Sequence, residues 1–114
     1  DIRFKTVAKK SASKLKTISL IDGKFSLDEI AKLQGLSFEA LLNELYSIVY
    51  SGTKLNIDYY IEDVLDDDQI DDIYDYFRES KTDSMKEAMK ELREYYDDNE
   101  VRLIRIKFIS ENAI

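Results

Sequence analysis

The chain has 114 residues, carries a formal net charge of −7 and contains neither cysteine nor histidine. This length fits one domain with a core of its own. Disulfides and zinc-thiolate sites are excluded, and the commonest side chain for proton transfer at neutral pH is missing. No apolar run approaches the roughly 20 residues that cross a bilayer, and no signal-peptide pattern opens the chain, so we expect a cytoplasmic protein without a membrane partner.

The charge is divided unevenly along the chain. Residues 1–24 contain seven basic and two acidic side chains, a balance of +5, whereas the remaining 90 residues contain 10 basic and 22 acidic ones, a balance of −12. Contact with a phosphate backbone is therefore expected in the N-terminal segment. A solvated leader before the first helix is the alternative interpretation. We predict a basic leader or linker over residues 1–12 and a single helical domain over residues 13–114.

The first predicted helix covers Ser13–Ile21 and ends at Asp22-Gly23. Its apolar residues recur at helical spacing, so we expect Leu15, Ile18 and either Leu20 or Ile21 to point inward.

Two further helices joined by a tight turn are predicted at about residues 26–51. Ser26 is followed three positions later by Glu29, which is the pattern of a capping box. Gly35 stops this helix and Ser37 caps the next one, which should run from Phe38 to about Ser51. The second helix has an apolar stripe made of Leu41, Leu42, Leu45, Ile48 and Val49. This order is typical of a helix-turn-helix.

The outward side of that second helix carries two carboxylates and no cation. Its predicted members are Glu39, Ala40, Asn43, Glu44, Ser47 and Tyr50. A helix that reads the major groove needs donors for guanine edges and cations for phosphates. The shape therefore indicates DNA, whereas the charge argues against ordinary sequence recognition.

The remainder of the chain predicts more helices. Residues 53–57 alternate apolar and polar side chains, which suits at most a short extended wing, and Asp58 is expected to cap a short helix through Leu65. Helical spacing continues over 70–77, over 85–92 with Thr82 or Ser84 as N-cap, and over 101–109. The predicted fold class is all-α, mainly helical: a winged-helix-like helix-turn-helix followed by a small helical bundle.

Candidate chemistry is sparse. The acidic residues of segment 66–75 suggest a divalent cation site, but they lack the pattern of an EF-hand loop and suit a capped helix start better. Eight tyrosines suggest a stacking platform for single-stranded bases, although most have carboxylates nearby in the sequence and suit core and rim packing. No phosphate-binding glycine loop occurs. We predict no catalytic, cofactor-binding or metal-binding residue.

Several segments then occur in a characteristic order: Ser26–Ala31, Gly35–Ser37, Gly52–Asp58, Ile73–Phe77, Thr82–Ser84 and Val101–Phe108. Together they resemble the helix-turn-helix domain at the C-terminus of bacterial RecQ-family ATP-dependent DNA helicases, particularly Bacteroidetes-type members. The likeness covers about residues 12–110.

The resemblance implies a fragment: a non-catalytic C-terminal accessory domain of a 3′-to-5′ DNA helicase, a cytoplasmic and nucleoid-associated enzyme of DNA recombination and repair. It also implies that ATP, Mg and Zn belong to upstream domains of the parent and that this fragment binds no cofactor. DNA is the expected partner, through the parent helicase. The alternative is an acidic protein-interaction or autoregulatory module without DNA binding of its own, which docks on the helicase core or on another protein.

For the first of these functions, the candidate phosphate contacts are basic side chains that would position DNA without reading its sequence. They are Lys9, Lys10, Lys14, Lys16 and Lys54.

Overall fold

The computed structural model of the protein describes the backbone of residues 2–112 and the side chains of residues 12–112. The described chain forms helices connected by short loops, and residues 2–112 contain no β-strand, which confirms the all-α prediction. The helices are α1 (Ile2–Asp22), α2 (Leu27–Gln34), α3 (Phe38–Tyr50), α4 (Asp58–Val64), α5 (Asp67–Glu79), α6 (Met85–Leu92) and α7 (Asp98–Asn112).

The turn between α2 and α3 is built as the sequence predicts, but the capping box predicted at Ser26 is half formed, because no described hydrogen bond joins the Ser26 amide to the Glu29 side chain. The Ser26 hydroxyl accepts a hydrogen bond from the Glu29 amide at 3.1 Å, and the Ser37 hydroxyl accepts one from the Ala40 amide at 3.1 Å. Gly35 ends α2 in the left-handed region with φ 68°. A side chain at that φ would be strained, so glycine allows the sharp reversal. The predicted helix-turn-helix is therefore confirmed.

Helix α3 carries the apolar stripe expected from the sequence. All five of its predicted core residues are at most 1% exposed, and α3 packs against both α2 and α7. These core residues are Leu41, Leu42, Leu45, Ile48 and Val49.

Helix α7 is the centre of the C-terminal part of the molecule. It packs against α3, α4, α5 and α6, and it buries Val101, Leu103, Ile104 and Ile106. Because neighbours surround it on several sides, its apolar residues do not form a single stripe. The prediction of a helix over residues 101–109 is confirmed.

The predicted wing is an irregular connector between α3 and α4. Leu55 and Ile57 are buried, as their alternation with polar residues predicts. The buried Ser110 hydroxyl of α7 accepts a hydrogen bond from the Leu55 amide at 2.8 Å and donates one to the Leu55 carbonyl at 2.9 Å. A side chain thus satisfies backbone groups that a partner strand would otherwise pair.

The beginning of α1 differs from the prediction. The helix starts at Ile2, and the predicted start at Ser13 was wrong, because residues 2–22 contain no proline or glycine that would interrupt a helix. The predicted inward position of Leu15 was also wrong, since Leu15 is 66% exposed while Thr17 is fully buried. The division into a leader over 1–12 and a domain over 13–114 stays a prediction.

The caps of two later helices follow local hydrogen bonding. Asp58 is the first residue of α4 and not its cap: Ile57 takes the N-cap position without a side-chain bond, and the Asp58 carboxylate pairs with Lys107 of α7 at 2.9 Å. Asp66 caps α5 through a capping box with Gln69, so this part of the acidic run has a structural role. Within the described residues, no helix has the length and apolar character required to cross a bilayer.

Candidate nucleic-acid interface

The outward face of α3 is the surface that a helix-turn-helix would present to DNA. Four of the six residues predicted to lie there are exposed, namely Glu39, Asn43, Ser47 and Tyr50. Ala40 is half-buried, and Tyr50 is 70% exposed. As the sequence indicates, α3 contributes no cation to this face.

Glu44, the second carboxylate predicted on this face, is held by α1. One carboxylate oxygen accepts from the Ser13 hydroxyl at 3.0 Å, and the other accepts from the Thr17 hydroxyl at 2.9 Å. The Gln34 side chain of α2 donates to the Thr17 hydroxyl at 2.8 Å. The expectation that Glu44 points freely outward was therefore wrong, because this polar network fixes α1 against α2 and α3.

Two cations from other helices lie beside the outward face of α3. The Lys14 ammonium group of α1 donates to the Ser47 hydroxyl at 3.2 Å. The Arg102 guanidinium of α7 donates to the Asn43 side-chain oxygen at 3.0 Å. Asn43 and Ser47 are four residues apart and therefore lie one turn apart on the same face of the helix. Lys14 and Arg102 thus flank that face.

Carboxylates limit the positive potential at this surface. Arg102 also forms an ion pair with Asp98 at 2.5 Å, and its side chain is 27% exposed. Glu39 is exposed on α3 itself. The surface therefore offers individual cationic donors rather than a strongly basic patch.

Arg105, the next arginine of α7, packs against Tyr46 of α3. The Arg105 guanidinium carbon lies 3.9 Å from the centre of the Tyr46 ring, and the same guanidinium pairs with Asp83 at 3.7 Å. The Tyr46 hydroxyl donates to Asp83 at 2.9 Å. Burial raises the pKa of Tyr46 and the hydrogen bond to Asp83 raises it further, so the phenol remains a donor at neutral pH.

The predicted phosphate contacts do not all fall at one place. Lys9 and Lys10 lie outside the residues whose side chains are described. Lys14 lies at the α3 face, whereas Lys16 is exposed about 200° further around α1. Lys54 is exposed on the connector, where it lines a groove with Asp22 and Glu111. Of the described lysines in the prediction, Lys14 has a contact with α3.

Most tyrosines hold elements together and do not form a stacking platform. Five hydroxyls donate to a carboxylate or a carbonyl at 2.5–3.0 Å, namely those of Tyr46, Tyr59, Tyr60, Tyr74 and Tyr96. Burial, together with hydrogen bonds to Asp28 and Asp72, raises the pKa of Tyr60 and Tyr96 to about 12. These contacts confirm the interpretation of rim packing for the five residues.

Sequence reasoning missed Arg102 and Thr17. Arg102 meets a residue 59 positions earlier in the chain, a contact that no local pattern indicates. Thr17 had a weak signal, because it follows Ser13 by four residues and both hydroxyls therefore share one face of α1. Within the described residues, no group of three or more acidic side chains is arranged to hold a metal ion.

A comparison with protein families gives a match over the first half of the molecule. Residues 11–61 match the family described as RecQ-1-like, helix-turn-helix domain. This segment contains α1 from residue 11 onward, α2, the turn after α2, and α3. No curated protein matches the chain.

Proposed function

We propose that the chain is an accessory domain of a RecQ-family DNA helicase, because residues 11–61 match the family described as RecQ-1-like, helix-turn-helix domain. In this proposal the domain is non-catalytic and lies at the C-terminus of a Bacteroidetes-type, ATP-dependent 3′-to-5′ helicase that acts in recombination and repair. The parent enzyme is cytoplasmic and associates with the nucleoid. ATP, Mg and Zn belong to its upstream domains.

The domain supports the motor by touching the DNA backbone without reading its bases. The observation that carries this proposal is the placement of Lys14 and Arg102 on two residues one turn apart along the exposed face of α3. A strand passing over that face could place phosphates beside both cations, and phosphate contacts fix the position of DNA without carrying sequence information.

The side chains between those cations do not suit base recognition. Glu39 repels phosphate, while the Asn43 oxygen accepts from Arg102 and the Ser47 oxygen accepts from Lys14. A bidentate contact to adenine needs an Asn side chain with both its donor and its acceptor free. We therefore expect weak, sequence-independent binding, with a dissociation constant of about 10⁻⁴ to 10⁻⁶ M at physiological salt.

The salt dependence of DNA binding tests the proposal. The 114-residue chain would be titrated into fluorescein-labelled forked DNA, and binding followed by fluorescence polarisation at 50 and 200 mM salt. If Lys14 and Arg102 each contact a phosphate, the slope of log K against log salt is about −1.8, and affinity falls about 12-fold over this range. Two forks of unrelated sequence should bind equally well.

Charge reversal locates the interface. The double variant Lys14→Glu/Lys16→Glu should weaken binding at 50 mM salt at least tenfold, because Lys14 lies at the proposed phosphate path and Lys16 adds to the positive potential of α1; Arg102→Gln should weaken it about threefold. The matched control is Lys81→Glu/Lys86→Glu. Both of these lysines are exposed and lie near α6, outside the helix-turn-helix. Absence of binding at 50 mM salt, or equal losses in both double variants, would reject backbone contact at α1 and α3.

A further inference from the structure

A groove of about 530 Å³ lies between α5 and α6, remote in sequence from the helix-turn-helix. Its apolar surface comes from Tyr76, Leu92 and Tyr95. Tyr76 packs edge-on against Phe77 with ring centres 5.2 Å apart, so this ring is held in place. Tyr95 is 72% exposed, so most of its side chain is open to solvent.

Four carboxylates line the same groove. Two of them have partners: Asp72 accepts from the Tyr96 hydroxyl at 2.8 Å, and Asp75 pairs with Arg78 at 3.3 Å. Glu79 on α5 and Glu91 on α6 are exposed and have no hydrogen-bonding or ionic partner among the described residues. Among the described residues, no lysine or arginine lines the groove. The groove is therefore an aromatic surface with a negative rim on which Glu79 and Glu91 lack compensating charge.

We propose that this groove binds an arginine-bearing basic segment of another polypeptide. The charge of the groove is complementary to such a segment, because Glu79 and Glu91 approach it from opposite helices and a cation between them would relieve their repulsion. DNA is the wrong partner here, since phosphates would meet four carboxylates.

The tyrosine rings of the groove determine whether it prefers an arginine or a lysine side chain. A planar guanidinium stacks on an aromatic face and donates to a carboxylate through two parallel hydrogen bonds, whereas an ammonium group does neither as well. Tyr95 follows the end of α6 and is open to solvent, and Glu91 in the last turn of α6 lines the same groove. The same pairing of ring, guanidinium and carboxylate occurs inside this protein, where Arg105 lies over Tyr46 beside Asp83. The groove thus favours arginine over lysine.

Peptide binding to the full 114-residue chain tests the proposal. The probes are two fluorescein-labelled decapeptides, one of alternating glycine and arginine and one of alternating glycine and lysine, and the readout is fluorescence polarisation. We expect the arginine peptide to bind at least about threefold more tightly than the lysine peptide, because stacking on tyrosine adds to the shared charge attraction. Equal affinities, or no binding at 50 mM salt, would overturn the proposal.

Two pairs of variants separate the groove from the general acidity of the protein. Glu79→Gln/Glu91→Gln should weaken binding of the arginine peptide about tenfold, while the control Glu62→Gln/Asp63→Asn removes the same charge from α4 and should weaken it less than about threefold. Tyr95→Ala should abolish the preference for arginine, and Tyr95→Phe should keep it. All five positions are exposed, so the fold should persist.

Two further outcomes would contradict binding of an arginine-bearing segment in this groove. Similar losses in the groove variant and in its α4 control would contradict a localised site. Dimerisation of the unliganded chain that disappears in the groove variant, measured by sedimentation, would show that a second copy occupies the groove, and the proposed partner would be wrong. Lys14→Glu/Lys16→Glu should leave peptide binding unchanged, so this test and the test of DNA binding fail independently.

Discussion

The two halves of this protein share one core but differ in charge. Residues 12–57, which contain the helix-turn-helix, carry five basic and five acidic side chains, whereas residues 58–112 carry eight basic and eighteen acidic ones. Packing of α3 on α7 joins the halves. A helix-turn-helix and an acidic surface thus share one hydrophobic core, with phosphate contact expected at α1 and α3 and basic partners expected at α5 and α6.

The largest expected effect tests whether the halves fold together. Leu45→Ala in α3 and Ile104→Ala in α7 each remove a fully buried side chain, so each should lower the free energy of unfolding by about 3 kcal/mol. Urea unfolding would be followed by circular dichroism and by tyrosine fluorescence. Because α3 and α7 are packed against each other, both probes should report one shared transition in each variant. Two separate transitions would show that the halves are independent.

Removal of the Ser110 hydroxyl, which hydrogen-bonds the connector between α3 and α4 to α7, should cause the next largest loss of stability. Ser110→Ala leaves the Leu55 amide and carbonyl without their partner in a buried place, which should cost about 1–3 kcal/mol. Urea unfolding measures the loss. Ser19→Ala is the matched control, because Ser19 is exposed on α1 and should change stability by less than about 0.5 kcal/mol. Equal effects would mean that the connector does not depend on this hydroxyl.

The polar junction between α1 and α3 predicts a smaller and more local effect. Glu44→Ala removes the acceptor of Ser13 and of the buried Thr17, and should cost about 1.5 kcal/mol. Hydrogen exchange should accelerate in α1 and leave α5 and α6 unchanged. Glu39→Ala is the matched control, because it removes a glutamate from the exposed face of α3. It should leave the rate of hydrogen exchange in α1 unchanged. Faster exchange throughout the molecule would contradict a local role for Glu44.

The smallest effect depends on pH and belongs to the C-terminal half. Burial raises the pKa of Glu111, but hydrogen bonds from Lys107 and Tyr74 outweigh burial and hold it below the ordinary value. A folded-state pKa below the unfolded one stabilises the protein at higher pH, and this contribution is lost as pH falls through the folded-state pKa. The stability difference between wild type and Glu111→Gln should therefore shrink between pH 6 and pH 3. It should stay below about 1 kcal/mol, since the pair is partly exposed.

Urea unfolding at several pH values measures this difference. Glu94→Gln is the matched control, because the described structure gives the Glu94 carboxylate no hydrogen-bond donor. If the Glu111→Gln difference grows toward pH 3, the hydrogen bonds do not act on Glu111 as proposed.

Local signals in the sequence were enough to predict the helix-turn-helix. Ser26, Gly35 and Ser37 act within four residues of their own positions, so short-range chemistry fixes the helix ends. The apolar stripe of α3 was equally visible, because a helical period places its five core residues on one face.

Contacts between distant segments could not be predicted in the same way. Leu15 fits an apolar stripe on α1, yet the side that packs is the one bearing Thr17, because Gln34 and Glu44 supply hydrogen bonds from two other helices. Arg102 reaches Asn43 across 59 positions. Apart from the four-residue spacing of Ser13 and Thr17, the sequence contains no signal for these pairings, since they depend on how the helices are arranged in space.

The most direct test of the account is a titration of the ¹⁵N-labelled 114-residue chain with two DNA forks of unrelated sequence, monitored by nuclear magnetic resonance. The account predicts salt-sensitive shifts of the amides around Lys14 and of the Arg102 side chain, identical for both forks, with the groove residues Glu79 and Glu91 unaffected. Shifts of the Asn43 side-chain amide that differ between the forks would contradict it, because they would show that α3 reads bases.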